Sequence, residues 1–154
     1  MVCYLADYNA KINQINSNMA MVSISNTING SADIVSDAYH KLCSFTPPVG
    51  TNLIIATVFF PSNSTGFRSI GISFDEKVFN MNRLAVKVEQ AVNSNTTTVS
   101  LNYIHVTSQE NPLYLMAQQN SGIAFSNCAY GVRVLSVRNV KQYTIPHEFL
   151  NANN

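Results

Sequence analysis

The sequence predicts an all-β protein, an antiparallel sandwich preceded by a short helix. Three observations carry that expectation. Short alternating runs recur around residues 68–73, 84–88 and 99–106, each bounded by polar, turn-rich segments. Two other runs, Leu53-Ile54-Ile55-Ala56-Thr57-Val58-Phe59-Phe60 and Leu113-Tyr114-Leu115-Met116-Ala117, are apolar on both faces and read as central strands. The amino-terminal residues follow a different, helical period.

In that first segment Leu5, Tyr8, Ile12, Ile15, Met19 and Val22 are spaced alternately three and four apart. Leu5, Ile12 and Met19 take a positions of a heptad and Tyr8, Ile15 and Val22 take d positions. A stripe this narrow suits a coiled coil better than a helix lying on a globular core. Isoleucine at both a and d shifts the preference from two strands toward three. The register then places Asn26 and Asn29 in the seam, followed by Gly30, so the helix should fray over residues 23–29. A single amphipathic helix docked on its own domain has the same stripe, and three heptads are few for a free-standing helix. The expected division is a stalk over 1–24, a neck over 25–37, a head over 38–145 and a tail over 146–154, whose Asn-Ala-Asn-Asn end suits a frayed terminus.

Within the head, Thr46-Pro47-Pro48-Val49-Gly50 makes a turn into a long strand over 52–60, and Thr65-Gly66-Phe67-Arg68 makes a corner into the next. Leu84, Val86 and Val88 alternate with Arg83, Lys87 and Glu89, the pattern of a strand with one solvated face. His105 is in phase with Val99, Leu101 and Tyr103, which makes it an inner or interface residue of its strand rather than a base. Pro112 can begin the strand at Leu113, where no ladder donor is needed. That strand stops at Gln118-Gln119-Asn120-Ser121-Gly122, and a closing strand follows over 132–138.

The two strands apolar on both faces need cover on both. Neighbouring subunits around a threefold axis supply it, with Tyr114, Met116 and Phe60 assigned to that contact. Loops folded over the central strands of a single sandwich are the alternative.

The chain has 154 residues, 46% of them hydrophobic and only 11% charged, against about 25% charged in ordinary soluble domains. A net charge of +1 with no Lys/Arg cluster gives no footprint for a nucleic-acid backbone. No run approaches the ~18 apolar residues of a membrane span. Residues 1–10 lack the basic-then-apolar order of a signal peptide, which favours assembly in a cytoplasm. Cys3, Cys43 and Cys128 are odd in number, without CxxC or zinc spacing, and read as free thiols. His40, His105 and His147 fall in separate segments, no G-x-S-x-G elbow or phosphate loop occurs, and Asp75-Glu76 reads as a hydrated turn. The expectation is a protein without enzymatic activity, cofactor or metal.

The ordered set of elements resembles a known family. The Pro/Gly turn into a long strand, the Thr65-Gly66-Phe67-Arg68 corner, the Gln119-Asn120-Ser121-Gly122 turn and the closing strand are similar, over residues 40–140, to the trimeric jelly-roll heads of phage fibre and virion appendage proteins. Those heads are similar in fold to the tumour-necrosis-factor and complement globular-head family. The Glu110-Asn111-Pro112 turn departs from the Gly-Asp type turn of that pattern. The resemblance implies a homotrimeric virion component, joined to other virion proteins through its stalk, with a host-surface glycan or protein as ligand. It also implies that Gly66, Phe67, Arg68, Gln119, Asn120, Ser121 and Gly122 are architectural. A non-recognising trimerisation or capsid-decoration module is a second reading, and an extracellular cytokine-like or complement-like ligand a third. If recognition occurs it belongs on loops far from the stalk. Candidates are Ser62, Asn63, Ser64, Phe79, Asn80, Asn82, Asn93, Asn95, Gln109 and Asn111, whose short polar side chains suit sugar hydroxyls, with Phe79 adding an apolar contact.

Overall fold

A computed structural model describes residues 20–77, 83–91 and 95–139 of the chain. Eight strands follow in order: β1 (Ala20–Ile34), β2 (His40–Phe45), β3 (Gly50–Phe60), β4 (Phe67–Ser73), β5 (Arg83–Gln90), β6 (Thr97–Thr107), β7 (Leu113–Gln119) and β8 (Phe125–Asn139). They form two four-stranded sheets, ordered β1-β8-β3-β6 and β2-β7-β4-β5. Sequence neighbours alternate between the sheets except for β4 and β5, which pair within one, the arrangement of a jelly roll. Ser23–Ser136 is one compact unit. Residues 1–22 and 137–154 form a second, of which the described residues, 20–22 and 137–139, are strand.

The pleat explains which side chains meet in the middle. Along β3, Ile54, Ala56, Val58 and Phe60 are buried while the residues between them face outward, the period-two alternation of a strand with one core face. Val99 and Leu101 of β6, with Val132 and Val134 of β8, continue that layer. The opposing layer comes from Leu42 and Phe45, Ile70 and Ile72, and Leu113, Leu115 and Ala117. Each such aliphatic side chain contributes about 1.5–3 kcal/mol by leaving water. Register is continuous between β3 and β6, from Gly50 opposite Thr107 to Phe60 opposite Thr97. β4 lies between β5 and β7, with Ser73 opposite both Arg83 and Tyr114.

Three expectations need correction. Residues 20–34 are β1, so Val22 lies in a strand and not in a helical seam, and most of the expected neck is part of the sandwich. The reason lies in the sequence: Ile28, Ala32 and Ile34 alternate inward on the core, while the residues between them turn outward. β8 completes the hold, since Ser25 Oγ donates to the carbonyl of Val134 at 3.0 Å and Asn127 N–H to Asp33 Oδ1 at 2.9 Å. Leu5, Tyr8, Ile12, Ile15 and Met19 lie outside the described residues. Phe60 is a wholly buried member of the core and not a subunit contact, because it shares parity with Ile54 and Val58. Finally, the head starts well before residue 38, the compact unit running from Ser23 to Ser136.

Candidate functional site

Strand direction sorts the loops into two ends. The β3–β4, β5–β6 and β7–β8 loops gather at one end, since Phe67 is opposite Gln90, Arg68 opposite Gln119 and Phe60 opposite Thr97. The β1–β2 loop joins them, because Asp37 N–H donates to the carbonyl of Gln119 at 2.7 Å. At the other end lie the β2–β3, β4–β5 and β6–β7 loops. The compact unit also begins and finishes there: Ser136 Oγ donates to Asn52 Oδ1 at 2.7 Å, beside the Gly50–Thr107 pair. The ten candidate loop residues therefore do not share a surface. Ser62, Asn63, Ser64 and Asn95 lie at the free end, while Gln109 and Asn111 lie at the end where the unit is joined to the rest of the chain. Phe79, Asn80, Asn82 and Asn93 fall outside the described residues.

A hydrogen-bonded brace holds the free end. Gly66 has a φ of 76°, and a Cβ there would stand 2.6 Å from the carbonyl oxygen of Asn120, so only glycine fits this corner without strain. Asn120 Oδ1 accepts from Phe67 N–H at 2.6 Å, tying the corner to the β7–β8 turn 53 residues away in sequence. Arg68 shares inward parity with Ile70 and Ile72, so its guanidinium is buried in the end of the sandwich. Nη1 donates to the carbonyls of Thr65 and Phe67 at 3.0 and 2.9 Å, and Nη2 to that of Asn63 at 3.1 Å. The same cation lies 4.8 Å from the centroid of the Phe125 ring, within the range of a cation–π contact. Burial pushes the arginine pKa down, yet a guanidinium stays charged in proteins. Three carbonyl dipoles thus stand in for a carboxylate, and the β3–β4 loop is wrapped around the charge.

Gln119, also wholly buried, does the same for the neighbouring loops. Its Nε2 donates to the carbonyls of Ile34 and Ile123 at 3.3 and 2.6 Å, and its Oε1 accepts from Ser121 N–H at 2.6 Å. Ser36 Oγ accepts from Gly122 N–H at 3.0 Å and donates to Asp37 Oδ2 at 2.6 Å. Gly122 and Asp37 have φ of 80° and 67°, left-handed turns that glycine adopts freely and aspartate tolerates. The sequence flagged the corner and the turn, but not Ser36, Asp37 or the pairing between distant segments.

At this end Val35 and Ile123 are exposed apolar residues, and Ser62, Ser64 and Asn95 are exposed polar ones. Asp37 is the one charged residue exposed among the described loop residues of this end. A surface of amides, hydroxyls and small apolar contacts suits a neutral ligand such as a sugar and gives no purchase to a polyanion. An isoleucine directly after Asn-Ser-Gly was the sequence signal for Ile123. Elsewhere, His105 faces inward, its ring 6.1 Å from Phe74 and 6.0 Å from Tyr103, with burial lowering its pKa. Burial raises the Cys43 and Cys128 thiols to about 11. Tyr114 is half-buried under Lys41, whose Nζ stands 5.7 Å from the ring centroid, and Met116 is buried. Among the described residues no group of three His, Cys, Asp or Glu side chains is placed to hold a metal.

No family model and no curated protein matches this sequence. Solved structures with similar folds include the PRD1 vertex protein P5, at 15% identity over 75% of this chain and 99% of that one, with a TM-score of 0.49. A chain of the T13 IBDV viral particle matches at 10% identity and a TM-score of 0.48 over 71% of this chain, which spans 30% of that chain's length. A CBM4 domain matches at 10% identity over 80% of this chain and 82% of that one, with a TM-score of 0.45. At such values the likeness is one of fold and carries no argument about activity.

Proposed function

We propose that the chain is a non-enzymatic structural protein of a virion, a homotrimeric appendage head of the tumour-necrosis-factor-like kind that meets the host surface through its free end. The observation that carries this is the polarity of the sandwich. The compact unit is joined to the rest of the chain at one end and presents three braced loops at the other, the geometry of a tip. The Thr65-Gly66-Phe67-Arg68 corner and the Gln119-Asn120-Ser121-Gly122 turn, which carry the family resemblance, together form the brace. The Ile12 and Ile15 layers support three strands. Other virion proteins are the partners through residues 1–24, and the protein reaches its place by assembly in the host cytoplasm.

A second reading is a module that locks three chains in register without recognising anything. It is favoured by the engagement of Ser36, Asn63, Gln119 and Asn120 inside the brace, which leaves few polar side chains pointing out. Binding of the full-length protein to bacterial envelope fractions, with a glycan array beside it, separates the two. Saturable binding that Ile123→Asp or Ser64→Arg abolishes, and Gln109→Arg leaves intact, is the expected result. No binding to any fraction selects the second reading, and loss with Gln109→Arg alone moves the site to the opposite end.

A further inference from the structure

The β1–β2 loop and the β7–β8 turn are fastened to each other at the free end. Gly122 N–H donates to Ser36 Oγ at 3.0 Å, and Asp37 N–H donates to the carbonyl of Gln119 at 2.7 Å. The buried Gln119 amide in turn holds the carbonyls of Ile34 and Ile123. Among these anchors Asp37 is set at a φ of 67° and is exposed. Ser36 Oγ donates to Asp37 Oδ2 at 2.6 Å, which fixes the carboxylate as well as its backbone.

The surroundings select what that carboxylate meets. Asp33, the other acid of this segment, is engaged by Asn127 N–H at 2.9 Å. An ionised carboxylate only accepts hydrogen bonds and has capacity for about four, and Ser36 supplies one. Val35 and Ile123, each one residue from the Ser36–Gly122 bond, are 47% and 55% exposed. The other exposed polar side chains of the described loops at this end are hydroxyls and an amide, with no aromatic residue, lysine or arginine among them. Protein interfaces draw most of their energy from tyrosine, tryptophan and arginine anchors, which these loops do not offer. A sugar asks for less: an acceptor for paired hydroxyls and aliphatic contact for the C–H side of its ring.

We infer that Asp37 is the specificity-determining residue of the free end, its carboxylate accepting from two vicinal hydroxyls of a neutral sugar while Ile123 and Val35 meet the apolar side of the ring. The inference rests on the reading of this end as a receptor surface, and it adds the ligand class and the residue that selects it. A carboxylate already held by Ser36 loses less freedom on binding than a mobile one. The same charge repels carboxylate, sulfate and phosphate groups, so acidic glycans are excluded.

The test uses the 154-residue chain, bacterial envelope fractions and an array of neutral and acidic glycans, with an Asp37→Asn variant beside wild type. Asparagine tolerates the left-handed backbone and can still accept from Ser36, so the variant should keep the wild-type melting temperature. Periodate, which cleaves vicinal diols, and protease distinguish a sugar from a protein on the envelope. The expected result is saturable, periodate-sensitive, protease-resistant binding that favours neutral glycans and falls about tenfold or more in Asp37→Asn. Three results overturn the inference and leave the receptor surface standing, provided that Ile123→Asp still abolishes binding: full affinity in Asp37→Asn, a preference for acidic glycans, or loss of binding with protease alone. Binding that neither Asp37→Asn nor Ile123→Asp lowers, or no binding at all, removes the receptor surface and the inference together.

Discussion

On the outward face of the β1-β8-β3-β6 sheet, β3 and β6 present only uncharged residues, with Ile104 and Val106 open to solvent. On the β2-β7-β4-β5 sheet the same solvent is met by Lys41 and Arg83 and by a chain segment beside them, while Lys87 and Glu89, opposite Ile70 and Arg68, lie on the core side of the edge strand β5, and Val88, opposite Ser69, is half exposed. Ser73 at the end of β4 is opposite Tyr114 of β7, and Glu76, three residues later, reaches Lys41 of β2 with an N–O distance of 2.6 Å. The β4–β5 connection therefore passes over β7, and Lys41 lies above the Tyr114 ring. Two sheets of one sandwich thus share a core and differ outside: one face carries Lys41, Arg83 and the segment that brings Glu76 to Lys41, and on the other, among the described residues, every outward residue of β3 and β6 is uncharged. Under the proposed trimer, this is the kind of exposed apolar area that marks an interaction site.

The largest effects are expected in the core beneath both faces. Leu115→Ala, which empties a fully buried site, should lower unfolding free energy by about 2–5 kcal/mol. Arg68→Ala should cost about 3 kcal/mol, because it strips three loop carbonyls of their donor and opens a space beside Phe125. Denaturant titration checks both, and an unchanged midpoint in either would break the account of how the sheets are joined. Gly66→Ala comes next, at about 1–3 kcal/mol, from a strained φ and the crowding of Asn120. Its unfolding curve should move far more than that of Gly122→Ala, where a Cβ meets nothing within 4 Å.

How much of this was legible in the sequence differs along the same lines. β6 declared itself by Val99, Leu101 and Tyr103 at a period of two, and β3 and β7 by runs that are apolar on both faces. β1 did not: Ser, Asn, Thr and Gly fill nearly half of it, and β8 holds it through pairs such as Ser25 with Val134 as well as through its apolar residues. Its period-two residues, Val22, Ile24, Ile28, Ala32 and Ile34, were the available signal, hidden because Val22 also completes the heptad series. The corner and the turn were visible as motifs. Their meeting was not, since the Phe67–Asn120 bond spans 53 residues and depends on β4 lying beside β7. Asn52 shows the same limit: its bonds to the carbonyls of Pro48 and Gly50 are local, but the one from the hydroxyl of Ser136 spans 84 residues and follows from the β8-β3 pairing.

Smaller effects sharpen the contrast between the faces. His105 lies on the inward face of β6 with its pKa lowered by burial. The unfolded chain therefore binds the proton more readily, so stability is full above the unfolded value of about 6.5 and falls as pH drops through it. His105→Phe should flatten that part of the pH profile, and a wild-type profile with no slope between pH 7.5 and 5.5 would remove His105 from the inner face. Cys43 and Cys128, with thiols near 11, should react with a thiol reagent only after unfolding. Smallest of all, Lys41→Ala should leave the melting temperature where it is, since an exposed ion pair contributes little. A clear drop would show that the segment over β7 is held by that pair and not by its own packing.

Sedimentation equilibrium of the 154-residue chain at micromolar concentration bears most directly on the proposed homotrimer. The account predicts a mass three times the 17.0 kDa of the chain, while a single species of 17.0 kDa across the concentration range would contradict it.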